Sequence, residues 1–204
     1  MQYVLTILIA YLLGCSNMAE YIARLKKVDM RSGGSGNPGT SNAVILMGWR
    51  TGILVGLHDI GKAVVAILLV GWLFPNLPAG KEVAGVACVL GHIFPFWMGF
   101  KGGKGFASYL GMTLALNWKL ALVVMALVVL LTLVTDFLVV GTFTTITIVP
   151  AFFGVANHSL TVALILLVGT AAIFYKHWEN IVRIINGTEI GLRSTAKGEH
   201  RVEK

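Results

Sequence analysis

The sequence predicts an all-α integral membrane protein, a polytopic bundle of about seven transmembrane helices. Of its 204 residues 56% are hydrophobic and only 12% charged, and the mean hydropathy is +0.82, values of a chain whose solvent is lipid. Its apolar runs approach the roughly 20 residues that a helix needs to cross a hydrocarbon core. Its basic residues alternate between rich and poor connections, the pattern that orients membrane helices.

Taken in order, the predicted spans cover about 3 to 23, 51 to 74, 83 to 98, 105 to 116, 119 to 135, 137 to 155 and 158 to 177. The first lacks a basic leader and a small-x-small cleavage site, so it reads as a retained helix and not a signal peptide. In the third, Pro95 bends or ends the helix, with Phe96 and Trp97 as interfacial anchors. The fourth is the shortest. Fusing 105 to 135 into one span would give six and place the basic tail outside. With seven, Arg24, Lys26, Lys27, Arg31, Lys101, Lys104, Arg183, Arg193, Lys197, Arg201 and Lys204 share one side, opposite Lys81 and Lys119. The positive-inside rule then puts the N-terminus outside and the C-terminus in the cytoplasm. The chain reads as a single membrane domain over 1–204, and three polar segments, about 29–42, 99–105 and 176–191, face the cytoplasm.

The net charge of +7 lies beside apolar segments, so it points to lipid or an anionic substrate and not to nucleic acid. Cys15 and Cys88 stand alone, with neither a disulfide framework nor a metal-ligand pattern. No metal, cofactor or obligate protein partner is expected.

Three places carry chemistry. "SGGSGNPGTSN" (32–42) combines Gly33, Gly34, Gly36 and Gly39, which permit close backbone approach, with the hydrogen-bonding Ser35, Asn37, Thr40, Ser41 and Asn42, next to the anion fork of Arg31. "GFKGGKGF" has a phosphate-cradle composition: Gly102 and Gly103 free the backbone N–H groups, a helix begins just after, and Lys104 adds charge. It is not a Walker A loop, since Met98 occupies the position of the first glycine and no Ser or Thr follows the Lys. An ordinary basic interfacial turn would have the same composition. The third, "YKHWENIVRIINGTEIGLR", sets His177, Asn180 and Ile184 on one helix face, with Arg183 beside it and Glu189 beyond Gly187; an amphipathic tail lying on the membrane would read the same way.

Polar groups also sit within the spans. Asp59 and Lys62 are i and i+3 on a helix and neutralise each other, either as a structural pair or facing substrate. His58 points elsewhere, toward the interface. His92 suits a helix-helix hydrogen bond.

The run "DMRSGGSGNPGTSN", then "DIGK", "GHIFPFWMGFKGGKG" and "HWENIVRIINGTE" resembles the bacterial membrane glycerol-3-phosphate acyltransferases of the PlsY type, in the right order and over most of the chain to about Glu189. The resemblance implies transfer of a fatty acyl group from acyl phosphate to the 1-hydroxyl of sn-glycerol 3-phosphate, giving lysophosphatidic acid and phosphate in phospholipid biosynthesis. It also implies a bacterial plasma (inner) membrane location and no cofactor. By position it assigns Arg31, Ser35, Gly36, Asn37 and Gly39 from the first motif, His92, Gly102, Gly103 and Lys104 from the second, and His177, Asn180 and Glu189 from the third. Ser35, Asn37, His177 and Asn180 are the catalytic candidates; Arg31, Gly36, Gly39, Asn42, Asp59, Lys62, His92, Gly102, Gly103, Lys104 and Glu189 are the substrate-binding ones. Two departures stand out. Thr40-Ser41-Asn42 replaces the usual Ala-Thr-Asn, and Val139 and Val140 stand where many members carry a Ser pair, with Thr142 and Thr145 as candidate replacements.

No His-x-x-x-x-Asp pair or Ser-His-Asp constellation is present, so the hydroxyl proton goes to a substrate phosphate or to His177. Two other classes fit parts of the pattern: a transporter of a small anionic metabolite, suggested by the intramembrane Asp59 and Lys62, and a lipid phosphatase or phosphotransferase.

Overall fold

The computed structural model describes residues 1–197; Arg201 and Lys204 of the predicted cytoplasmic set lie outside them. The described residues are helical throughout, without strands: α1 (Gln2–Gly14), α2 (Met18–Lys26), α3 (Thr40–Met47), α4 (Trp49–Leu73), α5 (Gly80–Ile93), α6 (Phe106–Leu116), α7 (Trp118–Thr135), α8 (Leu138–Ala156), α9 (Leu160–Lys176), α10 (Trp178–Ile185) and α11 (Leu192–Lys197). A single 3-10 turn covers Phe96–Met98.

Four segments are long and apolar enough to cross a membrane: Gln2–Lys26, Trp49–Leu73, Trp118–Thr135 and Leu138–Ala156. The α9–α10 pair, bent by 45°, makes a fifth. One expected span is shorter than predicted: α5 has 14 residues, ending at Ile93 before Pro95 instead of running to 98. Helix α6, with 11 residues, is the short fourth span. Burial accounts for α5: it packs against α1, α4, α6 and α9, and Val86, Ala87, Cys88 and Val89 are buried in succession. A helix apolar all round and enclosed by protein need not match the thickness of the lipid.

The first span is two helices, not one. At Cys15–Asn17 the chain breaks, and Asn17 caps α2 by accepting from the Glu20 amide at 2.9 Å while donating to the Pro38 carbonyl at 3.1 Å. Trp97 Nε1 donates to the freed Cys15 carbonyl at 2.8 Å, so this expected interfacial anchor ties the α5–α6 connection to the break. Between helices the apolar effect is weak in lipid, and close contact of small residues replaces it. A Cβ on Gly14 would strike the Cys88 carbonyl, and one on Gly91 the Tyr11 carbonyl, so α1 and α5 touch backbone to backbone. Outward faces carry exposed apolar side chains such as Leu57, Leu68 and Val134.

One end of this bundle gathers the three polar segments. Helices α3 and α4 form one wall of a cavity there, α7 and α8 the other, the N-terminus of α6 stands between them, and residues 177–191 complete it.

Candidate active site

The first wall is built by Asn42, which is fully buried in the first turn of α3. Its Nδ2 donates to the carbonyls of Met30 at 2.8 Å and Gly33 at 3.2 Å, and its Oδ1 accepts from the Ser35 amide at 2.9 Å. With every polar atom so used, Asn42 shapes the loop and does not reach the cavity. Gly34 (φ +58°) and Gly36 (φ +67°) supply the left-handed backbone the turn requires. Ser35 and Asn37 are thereby held at the cavity surface. Gly39 caps α3 without any side-chain hydrogen bond, leaving the first-turn amides of Thr40 and Ser41, which line the cavity. Arg31 is exposed and turned away: its Nη2 donates to the Lys101 carbonyl at 2.8 Å, joining the first two motif loops.

The second segment departs from its expected use. The Gly102 amide donates to the Ile93 carbonyl at 2.9 Å and that of Gly103 to the His92 carbonyl at 3.2 Å, so neither amide is turned to a ligand. Their lack of side chains serves packing: a Cβ on Gly102 would strike the His92 carbonyl and Pro95, and one on Gly103 would strike His92 Nε2. A feature suited to an anion stands one step further on. Gly105 (φ +90°) caps α6, again with no side-chain cap, and Lys104, Gly105, Phe106 and Ala107 line the cavity. A helix N-terminus with open amides carries a partial positive charge suited to phosphate.

Beneath this loop Asp59, Lys62 and His92 form one buried cluster, with Asp59 and His92 at the cavity wall and Lys62 behind. The Lys62–Asp59 pair spans 3.0 Å. His58 belongs to it as well, a correction to the interfacial reading: its Nδ1 is 3.4 Å from Asp59 Oδ1 and its Nε2 2.9 Å from Ser16 Oγ. The break after α1 brings Ser16 to α4, a contact no local spacing encodes.

In the third segment His177 lies at the junction of α9 and α10, buried, with Nδ1 2.9 Å from the Ile173 carbonyl. A carbonyl only accepts, so the ring proton sits on Nδ1 and Nε2 keeps a lone pair. Asn180 Oδ1 accepts from Lys104 Nζ, and its Nδ2 donates to Glu189. Arg183 Nε donates to Glu189 Oε2 at 2.7 Å. This chain crosses from the second motif to the third and turns the amphipathic segment into a wall, not a surface tail. Burial, reinforced by the Arg183 charge, pulls the Lys104 ammonium down to about 8, and an anion beside it would favour the charged form.

The cavity volume is about 450 Å³. Ser35, Asn37, Gly39, Asp59, His92, Lys104, His177, Asn180 and Glu189 line it, whereas Arg31, Gly36, Asn42, Lys62, Gly102 and Gly103 stand outside its lining. Away from Lys104 the lining is apolar, with Val44, Ile45, Ile60, Leu110, Val128 and Leu138. Thr142 and Val139 reach it; Thr145 instead bonds the Gly141 carbonyl at 2.9 Å. Sequence reasoning missed Thr132 and Gly191 in the lining, for neither carries a local signal.

A polytopic helical membrane protein with a pocket that joins a lysine and glycine-capped helix N-termini to an apolar cleft is the class that fold and site define. The sequence profile of the glycerol-3-phosphate acyltransferase family matches residues 4–187. The glycerol-3-phosphate acyltransferase 1 of Oceanobacillus iheyensis is 36% identical over 205 residues, 95% of this chain and 97% of that protein; the glycerol-3-phosphate acyltransferase of Clostridioides difficile is also 36% identical, over 92% and 94%. The crystal structure of the integral membrane glycerol 3-phosphate acyltransferase PlsY in its glycerol 3-phosphate form superposes with a TM-score of 0.89 at 32% identity, covering 97% of this chain and 98% of that one. Its lysophosphatidic acid form gives 0.84 at 33% identity, covering 94% and 95%. The chain belongs to the PlsY family of membrane glycerol-3-phosphate acyltransferases. It is an acyltransferase of multi-pass membrane type.

Proposed function

We propose that the protein transfers a fatty acyl group from acyl phosphate to the 1-hydroxyl of sn-glycerol 3-phosphate, releasing inorganic phosphate and lysophosphatidic acid. The observation that carries this reading is the junction of chemistries in one cavity: Lys104 and the glycine-capped N-termini of α3 and α6 beside an apolar cleft. A phosphate bearing a long chain and a small wet phosphate need both kinds of wall. The relatives' shared acceptor, glycerol 3-phosphate, agrees with it.

In the proposed step the acceptor hydroxyl oxygen attacks the acyl carbonyl carbon, the carbonyl π pair moves to oxygen, and the tetrahedral centre collapses with cleavage of the bond to phosphate. The hydroxyl proton passes to a phosphate oxygen. Lys104 with the adjoining loop holds glycerol 3-phosphate, and Ser35, Asn37, His177 and Asn180 steady the acyl phosphate and its oxyanion. Arg31 supports this from a distance, by holding the Lys101 carbonyl. The lone pair on His177 Nε2 makes that residue the rival proton acceptor. The bundle sits in a bacterial plasma membrane as seven spans, with the cavity toward the cytoplasm and the C-terminus inside.

Detergent-solubilised protein given labelled glycerol 3-phosphate should form lysophosphatidic acid with acyl phosphate as the sole donor. Formation only with acyl-CoA or acyl carrier protein would overturn the donor assignment, and donor hydrolysis without the acceptor would indicate a phosphatase. A pH-rate profile of His177→Ala assigns the proton: the wild-type shape at saturating substrates is expected, and loss of the acidic limb would make His177 the base.

A further inference from the structure

The buried lysine of the Asp59–Lys62–His92 cluster does not line the cavity, yet its ammonium has a full set of partners. Its three protons meet three acceptors: the Ser16 carbonyl at 2.6 Å, His92 Nδ1 at 2.8 Å and Asp59 Oδ1 at 3.0 Å. Lysine can only donate, so His92 Nδ1 must accept, and the proton of the neutral ring sits on Nε2. That nitrogen is the one beside Gly103, where a Cβ would overlap it. No hydrogen bond among the described residues ends on it, although His92 is only 3% exposed and lines the cavity.

We propose that Lys62 is a positioning residue which fixes the Nε2–H tautomer of His92, so that this ring, at the cavity wall, presents an N–H donor to a phosphate oxygen in the cavity. The inference rests on the phosphate-binding reading above. Its economy explains why an ion pair is kept at membrane depth, where a well-packed apolar substitute is often as stable. Asp59 balances the ammonium charge, and the Ser16 carbonyl, freed by the break after α1, takes its third proton. The other titratable groups around the ring are His58 on α4, Cys88 one turn back on α5, Cys15 at the end of α1 and Lys104 after the glycine pair; none of them bonds either ring nitrogen of His92.

If Lys62 becomes Met, His92 Nδ1 is left 3.4 Å from Asp59 Oδ1, and the proton moves to Nδ1 to bond it. Nε2 then turns a lone pair toward the phosphate. The test is nitrogen NMR of full-length protein in lipid bilayers with 15N-labelled histidine, the His92 signals being assigned by their loss in His92→Gln. Wild type should show a protonated Nε2 and an accepting Nδ1, and inorganic phosphate should shift the Nε2 signal. Lys62→Met should show a protonated Nδ1, with kcat/KM for glycerol 3-phosphate lower by about ten- to a hundredfold, the loss expected for one hydrogen bond to a charged group. A wild-type ring protonated on Nδ1, or an Nε2 signal indifferent to saturating phosphate, would overturn the proposal, and both are read without any variant at Lys62. Absence of acyl transfer by the same wild-type sample would instead overturn the functional reading, leaving the tautomer result standing.

Discussion

Lys104→Ala should lose about 2–4 kcal/mol of transition-state stabilisation toward glycerol 3-phosphate, roughly thirty- to a thousandfold in kcat/KM, because a partly buried charged hydrogen bond to phosphate is removed. Part of the loss is indirect: the Asn180 carbonyl that accepts from Lys104 is left open, and the link between the second and third motifs is cut. Titration gives a finer test. With its ammonium pulled down to about 8, Lys104 is charged below that pH and neutral above it, and kcat/KM reports ionisations of the free enzyme. The value for glycerol 3-phosphate should therefore fall as pH rises through about 8. Lys104→Arg should move that fall out of the accessible range, since guanidinium stays protonated. Kinetics in Lys104→Ala indistinguishable from wild type for this substrate would remove the phosphate-binding assignment.

Asn42→Ala should unmake the first wall without touching a substrate. It removes two donors and an acceptor from a fully buried position and strands the Met30 carbonyl and the Ser35 amide, while the Gly33 carbonyl keeps the Gly36 amide at 3.0 Å. Leaving buried backbone groups unpaired costs about 1–3 kcal/mol each; with partial relaxation the total is about 2–4 kcal/mol. Hydrogen exchange of residues 30–36 should accelerate by the corresponding factor, and activity should fall because Ser35 and Asn37 lose their fixed places. Asn42→Asp should not rescue either effect, for a carboxylate keeps the acceptor, lacks both donors and adds a buried charge. Wild-type exchange at the Ser35 amide in Asn42→Ala would show that the loop holds itself.

Much of the architecture is legible in one dimension because lipid imposes a simple demand on composition. Apolar runs of sufficient length mark α4, α7 and α8, and the two glycine-rich loops and the His/Asn/Glu segment are visible as polar exceptions. Their meaning is less so. Asn42 looks like a ligand-binding amide in "GTSN" and is instead the clamp of its own loop, a role that depends on a helical turn folding back over residues 30–35. Gly102 and Gly103 look like a cradle and are clearance for His92. His58 touches its chain neighbour Asp59, yet the partner of its Nε2 and the third acceptor of Lys62 both come from Ser16, at a break far away in sequence.

The sequence by itself determined that this is a helical membrane protein and which segments are polar, because hydropathy and residue chemistry are local properties. Only the tertiary structure decided which polar groups are free. A backbone amide, an Asn side chain or an ammonium ion can bind a ligand only with the donors that nearer partners leave over and only where it reaches the cavity, and those partners come from helices distant in the chain. Thus Arg31 is committed to Lys101, Asn42 to its own loop and Lys62 to Ser16, Asp59 and His92, while Ser35, Asn37, Lys104, His177 and Asn180 meet at one cavity.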